Sequence, residues 1–278
     1  MIDGEMAKTE KLTKTITLSA RMQALADMVT EGNRVCDLGC DHGFLSIYLV
    51  QRQISPGVLA MDVGKGPLMR AEEHVRKAEL QNYITLRLSD GLKNYRVGEA
   101  DTLLCAGMGG PLMQRLLAEE PEKAKSFREL ILQPQSEIAS FRKFLREAGF
   151  IISSENMVLE EGKFYPMMKA QPAERISGMT GARPQPDMCK KPEDFSEKPE
   201  KKEQISRELG DRFGAHLLAQ RHPVLWEYLK REWKNCGELK SVLKESSESQ
   251  RAQRRFGELL RETTYLKEAA KLYGKDYD

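Results

Sequence analysis

The run Arg34-Val-Cys-Asp-Leu-Gly-Cys-Asp-His-Gly-Phe-Leu-Ser-Ile-Tyr48 constrains the fold more than any other stretch. Val35 and Leu38 bracket a short strand, and Gly39 and Gly43 flank Cys40-Asp41-His42. Apolar residues then resume at helical spacing through Phe44, Leu45, Ile47, Tyr48 and Leu49. Strand, tight turn and helix in that order are how a doubly wound α/β domain presents a ligand at the carboxyl end of its first strand. A dinucleotide fingerprint needs G-x-G-x-x-G, so that backbone closes on a pyrophosphate at the helix N-terminus. Counted from Gly39, the second glycine position is Asp41 and the third is Phe44. A carboxylate stands where phosphates would lie. The site suits a ligand without phosphate and with positive charge, and S-adenosylmethionine carries a sulfonium and an ammonium. The plainer alternative is a strand–turn–helix with no ligand at all.

With 278 residues, 40% hydrophobic and 31% charged, the chain has room for one large or two ordinary domains and reads as soluble. A net charge of only +2 excludes a uniformly basic nucleic-acid binder. From Lys201 onward, however, 17 Lys and Arg stand against 13 Asp and Glu, so attraction to nucleic acid should lean on the C-terminal part. The five cysteines form no C-x-x-C pair and read as buried reduced thiols of a cytoplasmic protein. A Cys36/Cys40/His42 metal cluster is the weaker reading, and no metal is expected. No apolar run approaches a membrane span, and the first thirty residues show no signal-peptide core.

Residues 1–17 are polar and read as a loose N-terminus. Ser19 can cap a helix with Met22, Leu25, Met28 and Val29 on its apolar face. Arg21 sits in the first turn, where a cation opposes the helix dipole. It is either a solvated arginine or a contact to a ligand carboxylate or an RNA phosphate. The second strand, Gly57 to Val63, ends in Asp62, 25 positions after Asp37. An acid there accepts from ribose hydroxyls, or caps the helix that starts near Pro67. Leu68, Ala71, Val75 and Ala78 mark that helix's core face, with His74 expected at the surface.

Tyr83 to Leu88 alternates as a third strand and runs into Ser89-Asp90-Gly91. Asp90 either receives an adenine amino group or simply forms the turn. A fourth strand, Asp101 to Ala106, leads into Gly107-Met-Gly-Gly110, where backbone must approach something closely. Pro111 then opens a helix. Leu130 to Pro134 is a fifth strand, and Phe150 to Glu160 with Phe164 to Ala170 form a closing hairpin. Successive βα units and a final hairpin predict a seven-stranded sheet whose last strand is antiparallel. Residues 171–204 hold five prolines and few apolar side chains and read as a linker or insertion. Residues 205–278 carry two helical stripes, Leu225 to Leu243 and Phe256 to Leu272, around a candidate turn at Ser246 to Ser249. This predicts a long antiparallel helical pair. It is either packing alone or a charged arm gripping RNA phosphates, with Arg251, Arg254 and Arg255 near the hairpin end.

Leu18-Ser-Ala-Arg21, Val35-Cys-Asp-Leu-Gly-Cys-Asp-His-Gly-Phe-Leu45, Ala106-Gly-Met-Gly-Gly110 and Leu132-Gln-Pro134 together resemble the bacterial TrmK-type tRNA methyltransferases. The likeness covers about residues 18–170, and the helical tail by architecture. It implies a class I, Rossmann-like methyltransferase domain with a C-terminal coiled-coil domain, S-adenosylmethionine as cofactor, and tRNA as partner with no obligate protein partner. The implied reaction is methylation of N1 of adenine 22 in the D-arm. The Pro-rich stretch is longer than the resemblance leads one to expect, which bears on how the tail is oriented. Tyr165 matches a tyrosine of the family's last hairpin.

The resemblance also distributes the site. Asp37 and the Gly39 to Gly43 loop, with Asp41 and His42, are expected at the methionine moiety. Asp62 and Val63 belong to the ribose, Asp90 and Gly91 to the adenine, and Ala106, Gly107 and Met108 to the methyl. Arg21, Gly109, Gly110, Arg251, Arg254 and Arg255 are expected to face RNA. Adenine N1 already carries a lone pair and its product is a cation, so alignment and a nearby negative group are the useful devices. Asp41 is the expected carboxylate, and Tyr165 stacks on or hydrogen-bonds the base. N1 lies on the Watson–Crick edge, so the base must be unpaired or swung out. The rival readings are a small-molecule methyltransferase, a non-catalytic RNA or protein adaptor, and, weakest on charge, a dehydrogenase.

Overall fold

In the computed structural model, the residues described are 16–175, 199–245 and 250–277. The expected loose N-terminus through residue 15, most of the Pro-rich stretch and the turn at Ser246 to Ser249 lie outside them.

Seven strands form one sheet in the order β3-β2-β1-β4-β5-β7-β6. These are β1 (Val35–Leu38), β2 (Val58–Asp62), β3 (Ile84–Leu88), β4 (Thr102–Met108), β5 (Glu129–Pro134), β6 (Phe150–Glu160) and β7 (Lys163–Pro172). The first five pair in parallel, and β7 runs antiparallel to both neighbours, as the hairpin pattern predicts. β1, β4 and β5 are apolar almost throughout because helices cover both faces. Alternate residues divide between two cores. Cys36, Leu103, Leu130 and Leu132 pack under α4 (Gly110–Glu119), α5 (Pro121–Ser126) and α6 (Ile138–Glu147). Val35, Ala60, Leu104 and Ile131 pack under α1 (Ala20–Met28), α2 (Phe44–Gln51) and α3 (Lys65–Lys77). The short α5 carries no amphipathic stripe of its own, so periodicity does not reveal it.

Ser19 caps α1 as expected, its Oγ accepting from the Met22 amide at 3.4 Å. The β6–β7 turn is tighter than the three residues expected. Only Glu161 (φ 48°) and Gly162 (φ 74°) lie between the strands, and positive φ at both positions is what a two-residue hairpin turn requires.

The C-terminal helices are α7 (Pro199–Phe213), α8 (Ala215–Ala219), α9 (Pro223–Glu245) and α10 (Gln250–Leu272). α7 starts at Pro199, so the last residues of the stretch expected as linker are helical. α9 and α10 lie antiparallel, shown by the pairs Trp226–Tyr273, Trp233–Lys267 and Cys236–Glu262. Leu209, Phe213, Leu217, Leu229, Leu259 and Leu266 bury together with Met157 of β6, which ties these helices to the edge of the sheet.

Candidate functional site

Strand order reverses between β2-β1 and β4-β5, because β1 pairs with both β2 and β4. The carboxyl ends of β1 and β4 therefore border a crevice at the topological switch point, where open α/β sheets bind ligands. The loop after β1 enters it through Gly39 (φ 78°), Asp41 (φ 46°) and Gly43 (φ 72°). Left-handed backbone turns the chain sharply into α2, and the Gly39 and Cys40 amides both donate to Met61 O. A side chain on Gly43 would press on Ala71 Cβ at 3.2 Å, so this glycine also lets α3 approach.

Three carboxylates collect there. Asp37 is buried and accepts from Ser46 Oγ at 2.6 Å. Burial raises its pKa to about 6, against the Ser46 hydrogen bond and with help from Asp62. Asp62 ends β2, accepts from the Gly64 amide at 2.8 Å and faces the Asp41 amide at 3.4 Å. The Gly64 bond places it at the entry to α3, which starts at Lys65 rather than near Pro67. Asp41 has a side chain 62% exposed, with Arg70 at 3.2 Å and His42 Nε2 at 3.6 Å. Val63 beside Asp62 is 70% exposed, an apolar side chain with one face open.

Further along the rim, Asp90 pairs with Lys93 and lies 3.7 Å from Arg115. The Lys93 hydrogen bond holds its carboxyl below the usual range. Gly91 (φ 59°) turns the chain toward α4, where Leu116 occupies the space a side chain would need. Ala106, Gly107 and Met108 close the β4 side. Met108 reaches back over Gly39, and its Sδ lies 3.6 Å from Cys105 Sγ. A side chain on Gly110 would meet the Ser136 carbonyl, and one on Gly109 would meet Ser136 Oγ. Both glycines therefore serve a close approach within the chain itself.

Another cluster, at the carboxyl ends of β4 and β5, centres on Arg21. Its Nη1 donates to Gln133 Oε1 at 3.0 Å, its amide donates to Glu160 at 3.0 Å, and its guanidinium lies 5.0 Å from the centroid of the Tyr165 ring. The solvated alternative is thus replaced by a half-buried, held cation. His74 also departs from the surface position expected. Its ring stacks on Phe44 at 4.6 Å, and its Nδ1 lies 2.9 Å from His42 O in a hydrogen bond. Ser46, Arg70 and Glu160 belong to no motif, and only the fold brings them to the crevice. Gln133 does leave a trace in the sequence, as the polar residue that follows the apolar run Leu130-Ile131-Leu132 of β5.

Arg254 and Arg255 pair along α10 with Glu258, and Arg255 also with Glu262. Arg251 is exposed on the same helix. The structure joins none of the three to the crevice by a described contact. Among the described residues no group of three or more His, Cys, Asp and Glu is placed to hold a metal ion, and no helix is long and apolar enough to cross a membrane.

A glycine-lined cradle with carboxylates along its wall fits a compact cationic ligand better than a pyrophosphate. Comparisons with known proteins agree. Residues 18–168 match the family described as "Methyltransferase domain". The chain is 32% identical over 166 residues to the tRNA (adenine(22)-N(1))-methyltransferase of Bacillus subtilis, covering 60% of this chain and 70% of that one. The crystal structure of the B. subtilis M1A22 tRNA methyltransferase TrmK superposes with a TM-score of 0.71 at 25% identity, covering 91% of this chain and 98% of that one. A Streptococcus pneumoniae structure in complex with S-adenosyl-L-methionine superposes with a TM-score of 0.69 at 26% identity, covering 91% and 99%.

Proposed function

The chain belongs to the tRNA (adenine(22)-N(1))-methyltransferase family, and from that premise we propose that it methylates N1 of adenine 22 of tRNA with S-adenosylmethionine as donor. The observation that supports the chemistry is the acidic crevice at the ends of β1 and β4. Asp37, Asp41 and Asp62 line it, beside the left-handed turn of Gly39 to Gly43.

Bound there, S-adenosylmethionine supplies an electrophilic methyl group on a sulfonium. The loop from Gly39 to Gly43, with Asp37 and His42, holds the methionine end. Asp62 and Val63 hold the ribose, and Asp90 with Gly91 the adenine of the donor. Ala106, Gly107 and Met108 border the methyl. Each assignment follows chain position along the rim and matches side-chain chemistry to ligand chemistry.

Residues of this chain then have two tasks. The first is alignment, because N1 needs no deprotonation before it attacks. Tyr165 presents its ring on the acceptor side, where a base can stack on it or hydrogen-bond its hydroxyl. The second is charge. Methylation leaves the acceptor base cationic, and Asp41, 62% exposed at the crevice mouth and paired there with Arg70, is the carboxylate that can turn to face it. Arg21 faces the entering strand, while Gly109 and Gly110 let the chain close on Ser136 behind it. Arg251, Arg254 and Arg255 extend a basic contact to phosphates.

The chain divides, in this reading, into a methyltransferase unit over residues 18–170 and a helical unit over 205–278, joined by 171–204. It acts in the cytoplasm without an obligate protein partner. The test is incubation with labelled donor and unmodified tRNA, followed by mapping of the modified nucleotide. Label at N1 of adenine 22 is the expected result. Label only on free adenosine, or tight donor binding with no transfer to tRNA, removes the proposal.

A further inference from the structure

We infer that Gln133 is a positioning residue for methyl transfer, acting by tying Arg21 on α1 to Gly107 near the end of β4; the inference rests on the methyltransferase reading above. Gln133 is fully buried near the carboxyl end of β5, flanked by Leu132 and Pro134. A buried amide is costly unless its polar atoms are matched. Here the matching is specific. Oε1 accepts from Arg21 Nη1 at 3.0 Å and from the Gly107 amide at 3.2 Å, which uses both of its lone pairs. Nε2 donates to Pro134 O at 3.1 Å, which fixes which end of the amide faces the crevice.

The two donors that share this oxygen come from opposite sides of the site. Gly107 sits at the irregularity that shifts the β4–β5 register, in left-handed conformation (φ 78°), and its amide turns to the Gln133 side chain. Arg21 is held at its amide by Glu160 of β6 and at its guanidinium face by Tyr165 of β7. Gln133 completes that frame from β5. It leaves Nη2 of Arg21 with no hydrogen bond among the described residues, so the guanidinium keeps N–H groups for a substrate oxygen or ring nitrogen. An apolar residue of the same length would fill the space. Only an amide or a carboxylate can clamp both donors at once.

The test compares Gln133→Met, Gln133→Glu, Arg21→Met and the Gln133→Met/Arg21→Met double variant. Single-turnover methylation is measured at saturating donor and RNA, and KM for tRNA from initial rates over a range of RNA concentrations. Gln133→Met should lose about 100-fold in rate while KM for tRNA moves by less than about threefold, as misplacement without lost contact predicts. Gln133→Glu keeps an acceptor oxygen for both donors but sets its second oxygen against Pro134 O, so it should recover part of the rate that Gln133→Met loses. The double variant should be no slower than Arg21→Met, because a residue that works through Arg21 adds nothing once Arg21 is gone. A Gln133→Met enzyme near the wild-type rate, or a double variant whose losses multiply, overturns the inference.

A second readout needs no RNA. Amide exchange at Gly107 should accelerate at least about tenfold in Gln133→Met relative to wild type. Unchanged exchange overturns the inference even in an active enzyme. A wild-type protein that methylates no tRNA overturns the functional reading instead, and the Gly107 measurement still decides whether the clamp exists.

Discussion

The terminal methyl of Met108 occupies the space that a side chain on Gly39 would need. The two residues face each other across the crevice, one at the end of β1 and the other at the end of β4. A glycine sets one wall and a flexible thioether the other, so the gap adjusts on the Met108 side only. Gly39→Ala should therefore weaken donor binding by at least about tenfold, since the added methyl both strains the left-handed backbone and drives Met108 into the ligand's space. Gly32 provides the control. It has φ 84° and open space for 4 Å around the position a Cβ would take, so Gly32→Ala carries the backbone strain without the crowding. Calorimetric titration of both variants separates the two effects. Equal donor affinity in the two would show that crowding by Met108 does not matter.

Asp41 combines a left-handed backbone (φ 46°) with an exposed carboxylate 3.2 Å from Arg70. Asparagine tolerates that conformation far better than alanine, so Asp41→Asn is the informative change and Asp41→Ala mixes charge with strain. Removing the charge should lower the transfer rate by about 100-fold, the scale of a lost electrostatic contact in the transition state. Thermal stability should barely move, since an exposed ion pair contributes at most about 1 kcal/mol. Single-turnover rates and a melting curve on the same preparation check both halves. A normal rate removes Asp41 from the chemistry.

Asp37 gives the crevice a pH dependence. Burial lifts its carboxyl from 3.8 to about 6 in the folded chain. Well below 3.8 both folded and unfolded forms are protonated and the group costs nothing. Between the two values the folded form retains a proton that the unfolded form has released, so this contribution to stability declines as pH rises, and it is flat above about 6. Donor binding should show the opposite trend. A cation entering beside Asp37 favours the carboxylate, so affinity should rise with pH up to about 6, and binding below that pH should release a proton. Titrations in two buffers of different ionisation heat, repeated with Asp37→Asn, measure that proton. No release just below pH 6 would place the bound cation out of reach of Asp37.

Local chemistry makes much of this legible in the sequence. The β1 loop announces itself through Gly39 and Gly43, and the presence of Asp41 in place of a fingerprint glycine is itself the electrostatic argument. The inner parallel strands carry apolar runs such as Val58 to Met61 of β2, as double-sided burial demands, while the edge strand β3 alternates. What stays hidden depends on contacts distant in sequence. Gln133 looks like one polar residue in a strand until α1 brings Arg21 to it across 112 positions. His74 reads as a surface residue of a helical stripe because its partners, Phe44 and the His42 carbonyl, belong to a different element. Periodicity reports which face a residue occupies, not what crosses over that face. Arg254 and Arg255 are the opposite case, since their Glu258 partner sits at ordinary helical spacing and is legible from the sequence.

A buried ion pair within the sheet domain, Arg142 of α6 with Glu155 of β6 at 2.8 Å and side chains 3% and 1% exposed, anchors the C-terminal helices beside their apolar contacts with Met157. Its surroundings complement both helix ends. Arg142 also donates to Asp211 O and Arg212 O near the C-terminus of α7, and Glu155 accepts the His216 amide in the first turn of α8. A cation at a helix C-terminus and an anion at a helix N-terminus each meet the favourable end of the dipole. Gly214 (φ 92°) lies between them, and a side chain there would meet the Glu155 carboxylate at 2.7 Å. Removing one partner strands the other charge in the interior, so Arg142→Ala or Glu155→Ala should cost about 3–5 kcal/mol in urea unfolding. Replacing both with apolar residues should cost less than either single change, because neither charge is then left buried. Arg255→Ala, which breaks only exposed pairs with Glu258 and Glu262, should stay within about 0.5 kcal/mol of the parent. If Arg142→Ala proves as mild as Arg255→Ala, the helical unit is held by its apolar contacts with Met157 and not by the charge pair.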